Sequence, residues 1–173
     1  MNASTQAGPN RVDHRDEAND DEHLFAQLYV ALRRFANVIR PPDVDADDLV
    51  QEALARGLAL RPLHEYDDPG AYLRTAMVRL ASNQRRTFAR RRVALTRLHS
   101  ATGGDEQPYP SDLDDLRRLP PADRAILFLT AVEGWAYLEV ARVVGCTEMA
   151  ARARASRALR RLRAQLTEER RNA

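Results

Sequence analysis

The stretch AYLEVARVVGCTEMAARARASRALRRLRAQL, residues 136–166, decides the fold. Residues 136–144 read as a short helix, Gly145-Cys146 as a tight turn, and Thr147 as the cap of a longer helix running to about Thr167. On that second helix Ala151, Ala155, Leu159, Leu162 and Leu166 recur at helical spacing and form an apolar stripe. Ala153, Ser156, Arg157 and Arg160 fall opposite the stripe, and Arg152 and Arg154 lie on its flanks. No acid interrupts the run between Glu148 and Glu168. A helix carrying so many unbalanced guanidinium groups repels itself unless a polyanion neutralises it, and the major groove of DNA does so. A solvated basic helix is the plainer alternative, but the turn in front of the arginines favours a helix-turn-helix that sets Arg152, Arg154, Ser156, Arg157 and Arg160 on DNA.

Upstream of this hairpin, Pro120-Pro121 opens a helix over about 122–133 that Gly134 ends, and DLDDLRRL at 112–119 reads as a shorter helix before it. The segment SATGGDEQPYPS, residues 100–111, has adjacent glycines and two prolines, the composition of a flexible linker between domains. Before it lie three helical patterns. Leu24, Leu28, Leu32, Phe35 and Ile39 share one face of a first helix that Pro41-Pro42 stops. Asp45 is placed to cap a second, running to about Leu60, with Asp48 at the third position of a capping box. RPLHEYDDPG, residues 61–70, reads as a loop, and a third helix starts near Ala71 with Leu73, Met77, Leu80 and Gln84 on one stripe. Residues 1–20 are polar without periodicity and are expected to form a disordered tail. There is no strand pair, so the fold class is all-α: a tail (1–20), one helical domain (21–99), the linker (100–111), a second helical domain (112–167) and a C-terminal tail (168–173).

All 27 basic residues are arginine and the net charge is only +2, yet the charge is strongly segregated along the chain. Residues 43–68 sum to −6, residues 69–99 to +8 and residues 124–173 to +5. Two basic blocks suggest two contacts with nucleic acid, and the acidic block between residues 43 and 68 suggests a surface for something else. Tyr66 and Tyr72 precede the first basic block and Phe88 lies within it, so unpaired bases could be stacked and their phosphates gripped together; core packing is the plainer alternative for Tyr72 and Phe88, and the favoured one for Phe88.

Catalytic and metal signatures are missing. His14, His23, His64 and His99 stand at no metal spacing, and there is neither a phosphate-binding glycine loop nor a nucleophile elbow. No enzyme activity, cofactor or metal is therefore expected. Cys146 is the single cysteine, which excludes an intrachain disulfide and fits a reducing cytoplasm. The longest strongly apolar run, Ala125–Val132, is far too short to span a bilayer, so no membrane contact is expected.

DADDLVQEALARGLAL at 45–60 resembles the D-A-E-D-L-V-Q-E motif of extracytoplasmic-function sigma factors, in the region-two helix that docks on the polymerase clamp. Residues 69–92 look like the family's next helix, which reads and melts the minus-ten element. Residues 119–166 resemble region four, whose helix-turn-helix reads the minus-thirty-five element. The resemblance implies clamp binding by Asp48, Leu49, Gln51 and Glu52. It implies minus-ten contacts by Tyr66, Tyr72, Arg74, Arg79, Asn83 and Arg86, with Arg79 and Asn83 standing where the family usually has Asn and Asp. It places Arg152, Arg154 and Arg157 at the family's basic positions in region four. The partners implied are core RNA polymerase, promoter DNA and, as a further candidate, an anti-sigma protein. The residues alone leave two alternatives: a helix-turn-helix regulator acting without polymerase, and a module that occupies polymerase unproductively. The acidic stretch at 45–60 argues against the first, because a simple regulator has no need of it.

Overall fold

A computed structural model describes residues 13–98 and 116–172, and every regular element among them is helical. We number these α1 (Asp13–Ile39), α2 (Ala46–Leu58), α3 (Pro69–Leu98), α4 (Pro121–Ala131), α5 (Tyr137–Val144) and α6 (Glu148–Asn172), with a single 3₁₀ turn at Leu63–Glu65. The linker assigned to 100–111 lies outside the described residues, as does the tail up to residue 12.

Several boundaries differ from expectation for local reasons. Helix α1 starts at Asp13, inside the stretch read as a tail, because no glycine or proline interrupts the chain from there to Ile39. Helix α3 starts at Pro69, two residues early: the Asp68 carboxylate accepts from the Ala71 amide at 2.8 Å and caps the helix, and Pro69 takes the first position, where its missing N–H costs nothing. The last helix runs on to Asn172, through the residues read as a C-terminal tail.

The first half is a three-helix unit. Leu32, Phe35 and Ile39 of α1 meet Leu49, Val50 and Ala53 of α2 and Leu73, Met77 and Ala81 of α3, all nearly solvent-free. Asp45 caps α2 by accepting from the Asp47 amide at 2.7 Å. One carboxylate oxygen of Asp47 also accepts from the Tyr29 hydroxyl at 2.7 Å and from Arg33 Nε at 2.8 Å, which fastens the start of α2 to α1. Those two donors, the tyrosine first, hold the Asp47 carboxyl below its ordinary range. At the other end of the unit Asp21 accepts from the His64 amide at 3.0 Å and ties the 3₁₀ turn to α1.

The second half is built on the helix-turn-helix. Gly145 ends α5 with φ +72°, a left-handed conformation that a Cβ would strain, and its amide reaches the Ala141 carbonyl at 2.9 Å. The Thr147 hydroxyl accepts from the Ala150 amide at 3.2 Å, so the expected cap of the last helix is present. Beneath α6 the buried stripe is Ala151, Ala155 and Ala158, with Leu162 half-buried; Leu159, assigned to the stripe, is 40 % exposed. The helix turns Ala158 inward because small side chains let α6 approach α4 and α5 closely.

The two halves do not stand apart. Helix α4 lies across α1, and α5 lies across α3, so both halves contribute to one apolar core. Phe35 meets Phe128 with ring centroids 6.0 Å apart. Arg124, only 2 % exposed, reaches over from α4 to donate to the carbonyls of Ile39 at 2.8 Å and Arg40 at 3.2 Å, the open end of α1.

Candidate polymerase and nucleic-acid interfaces

The acidic face of α2 is the first candidate surface. Its inner side is apolar and buried, so the turn geometry leaves Asp48, Gln51 and Glu52 exposed along the outer side. Leu49, grouped with them from the sequence, is 1 % exposed and belongs to the core; it can only hold the helix in place. Glu52 pairs with Arg56 one turn on, at 2.8 Å, an exposed contact of little energetic weight. Beside this face an open groove of about 420 Å³ runs between α2 and α3, lined among others by Asp48, Glu52, Asn83, Gln84 and Phe88. Phe88, read as core, is 38 % exposed on the groove wall, and the Gln84 carbonyl oxygen is buried with no hydrogen-bond partner among the described residues.

The second surface is the outer side of α3. Arg79, Asn83 and Arg86 are exposed there, and the Arg86 guanidinium donates to the side-chain Oδ1 of Asn83 one turn earlier. The two tyrosines are placed differently from the sequence reading. Tyr66 is 8 % exposed, its hydroxyl donates to the Gly57 carbonyl at 2.9 Å, and its ring contacts Tyr72, 4.2 Å away, and the Arg61 guanidinium, 4.0 Å away. With so little of it exposed, the Tyr66 ring supports Tyr72 rather than offering itself to a base. Tyr72 is half-buried, and burial followed by the Tyr66 contact pushes its hydroxyl up from the ordinary value. Arg74 is 6 % exposed: its guanidinium donates to Glu133 of the second half at 3.2 Å and lies 5.0 Å from the centre of the Trp135 ring.

The third surface is α6. Ser156, Arg157 and Arg160 are exposed on one side, and no carboxylate among the described residues pairs with either arginine. Arg152, also exposed, pairs with Glu148 at 2.7 Å and covers the Tyr137 ring at 4.6 Å, bracing the turn. Arg154 is bound at 2.7 Å to Asp123 on α4. The structure therefore brings four of the five residues assigned to this contact to an open surface, Arg152 among them despite its tie to Glu148, and leaves Arg154 half-buried against Asp123.

Sequence reading missed Asp123, Arg124, Glu133 and Trp135. A signal for Arg124 exists: it is the one arginine in the otherwise apolar run RAILFLTAV, and a lone charge on an apolar helix needs a buried partner. Glu133 carries no such signal, because its partner lies 59 residues away. Among the described residues no group of three or more potential ligands could hold a metal ion, and no helix is long and apolar enough to cross a membrane.

A small all-helical protein with one exposed acidic face, one basic helix in each half and a helix-turn-helix is a DNA-binding specificity subunit in class. The Sigma-70 region 2 profile matches residues 24–92 and the Sigma-70 region 4 profile matches residues 116–162. The chain is 31% identical over 167 residues to the RNA polymerase sigma factor CarQ of Myxococcus xanthus, covering 89% of this chain and 94% of that one. It is also 31% identical over 146 residues to the RNA polymerase sigma-E factor of Streptomyces avermitilis, 79% of each chain. CnrH, solved with the cytosolic domain of CnrY, superposes with a TM-score of 0.56 at 27% identity, over 87% of this chain and 90% of that one. The sigma factor RpoE of Bartonella quintana, solved with the anti-sigma factor NepR, shares the fold with a TM-score of 0.65 at 23% identity, over 86% and 97%. The chain belongs to the extracytoplasmic-function sigma factors, subunits that direct RNA polymerase to promoters.

Proposed function

We propose that the residues divide this work as follows. Asp48, Gln51 and Glu52 dock the first half, residues 21–99, on the polymerase clamp, with Leu49 fixing the helix from inside. Tyr72, Arg74, Arg79, Asn83 and Arg86 meet the minus-ten element, with Tyr66 as the support under Tyr72. Ser156, Arg157 and Arg160, flanked by Arg152 and Arg154, meet the minus-thirty-five element from the second half, residues 112–167. The observation that carries this reading is the pairing, within one three-helix unit, of an exposed acidic face on α2 with an exposed arginine face on α3. A regulator acting on DNA alone needs only the second.

The work takes place in the cytoplasm, where polymerase is, and consists of binding rather than catalysis. An anti-sigma protein is a further partner, supported by the structural neighbour RpoE, which was solved with the anti-sigma factor NepR. Elution of the full chain with core polymerase on gel filtration tests the docking claim. Co-elution that disappears with Asp48→Arg and survives Arg157→Ala is the expected result; a chain that binds promoter DNA but never co-elutes would replace this reading with that of a polymerase-independent regulator.

A further inference from the structure

The most exposed large apolar side chain of the second half sits among its arginines. Met149, the second residue of α6, is 80 % exposed. At about 100° per residue, Met149, Ala153, Ser156 and Arg160 fall within one narrow strip of the helix, opposite the buried Ala151, Ala155 and Ala158. All four are exposed, so the strip faces away from the body of the second half. It is graded along its length: apolar in the first two turns of α6, polar and basic in the next two.

The charged groups of those first two turns are engaged within the protein. One Glu148 carboxylate oxygen accepts from Arg152 Nη2 at 2.7 Å and from its Nε at 3.2 Å, and the same guanidinium covers the Tyr137 ring. Arg154 is held by Asp123. What remains on the outward strip there is a long thioether and a single methyl. A recognition helix sets its N-terminal residues on base edges in the major groove, and the apolar group exposed on those edges is the thymine methyl. Ala153 has no bulk beyond Cβ and lets the helix seat deeply, while Met149, unbranched and flexible, fills an irregular gap. An exposed methionine is ordinary on its own; its place at the base-facing end of a strip of small and polar residues is what assigns it.

We propose that Met149, with Ala153 beside it, reads a thymine methyl in the minus-thirty-five element, while Arg157 and Arg160 hold phosphates. Sequence selection by the second half then begins with an apolar contact. The proposal rests on the reading of α6 as the DNA-facing helix. The methyl contact should contribute about fourfold in affinity, the equivalent of one buried methylene.

The test uses the full chain bound to core polymerase. Duplexes are selected by this holoenzyme from a random-sequence pool. Each thymine of the upstream element, on either strand, is then replaced singly by deoxyuridine, which deletes the methyl and nothing else. At one thymine or more the parent should lose about fourfold in affinity. Met149→Ala should bind the thymine duplex more weakly and no longer distinguish it from the deoxyuridine one, and Met149→Leu, which keeps an apolar side chain, should restore part of the discrimination. Arg157→Ala should weaken binding to both duplexes and keep their ratio. A deoxyuridine penalty that persists undiminished in Met149→Ala, or the absence of any sensitive thymine, would overturn the methyl reading and leave α6 on DNA. Unchanged affinity in Arg157→Ala would instead overturn the placement of α6 on DNA, and the proposal with it.

Discussion

Asp48→Arg separates docking from folding. Asp48 is the third residue of α2, exposed, and its neighbours Asp47 and Asp45 carry the cap and the tie to α1. Reversing its charge loses a favourable interaction with the positive helix end and creates an unfavourable one, each roughly 0.3 to 1 kcal/mol for an exposed group. The melting temperature of a chain this size should therefore fall by no more than about 8 °C, at about 2 to 4 °C per kcal/mol. On a basic partner surface the same change sets like charges together, a cost of several kcal/mol, or at least about a hundredfold in affinity. Leu49→Ala is the contrasting variant. It removes a fully buried side chain, costs about 2 to 5 kcal/mol of stability and weakens docking only as far as the protein unfolds. Circular-dichroism melts and fluorescence titration against core polymerase read both quantities. A folded Asp48→Arg protein that binds within about threefold of the parent would refute the assignment of this face, since tenfold is already only about 1.4 kcal/mol.

Three further outcomes follow from named contacts. Arg157→Ala and Arg86→Ala should each weaken promoter binding by the holoenzyme and reduce the slope of log affinity against log salt by about 1, as expected for one phosphate contact each; unchanged slopes in both would make these faces merely solvated. Tyr29→Phe removes the first of the two donors that depress the Asp47 carboxyl. A carboxyl depressed in the folded state contributes stability that is present above its unfolded value, 3.8, and is lost as pH falls through the folded one. The variant should therefore show a higher Asp47 pKa by NMR titration and a shallower loss of stability below about pH 4; an unmoved titration would remove the tyrosine as cause. Gly145→Ala meets no atom within 4 Å, so only the left-handed backbone, φ +72°, opposes it, and the melt should report a loss of about 1 to 2 kcal/mol.

What could be read from the sequence was whatever local chemistry decides. The turn at Gly145, the Thr147 cap, the Asp45 cap and the exposed acids of α2 all follow from residues within a few positions of one another. The Asp68-Pro69 start of α3 was equally local but was hidden in a stretch whose prolines and glycine suggested a loop. The rest depends on contacts between distant parts of the chain. Arg74 has the sequence signature of a DNA contact and Tyr66 that of a stacking platform, and only the packing of α5 against α3 and of Tyr66 against Gly57 reveals that both are covered. Arg154 likewise gains Asp123 as a partner because α4 crosses under α6. Periodicity separates the faces of a helix, but it does not say which basic residue a carboxylate from another helix will claim.

Transcription reconstituted from the full chain and core polymerase tests the central claim most directly. Template DNA is first selected from genomic fragments by the holoenzyme, then transcribed by core polymerase with and without the chain. The account predicts transcripts with defined starts that appear only when the chain is present and vanish with Asp48→Arg. Selected DNA that binds the chain equally well without core polymerase and yields no chain-dependent transcript would contradict it.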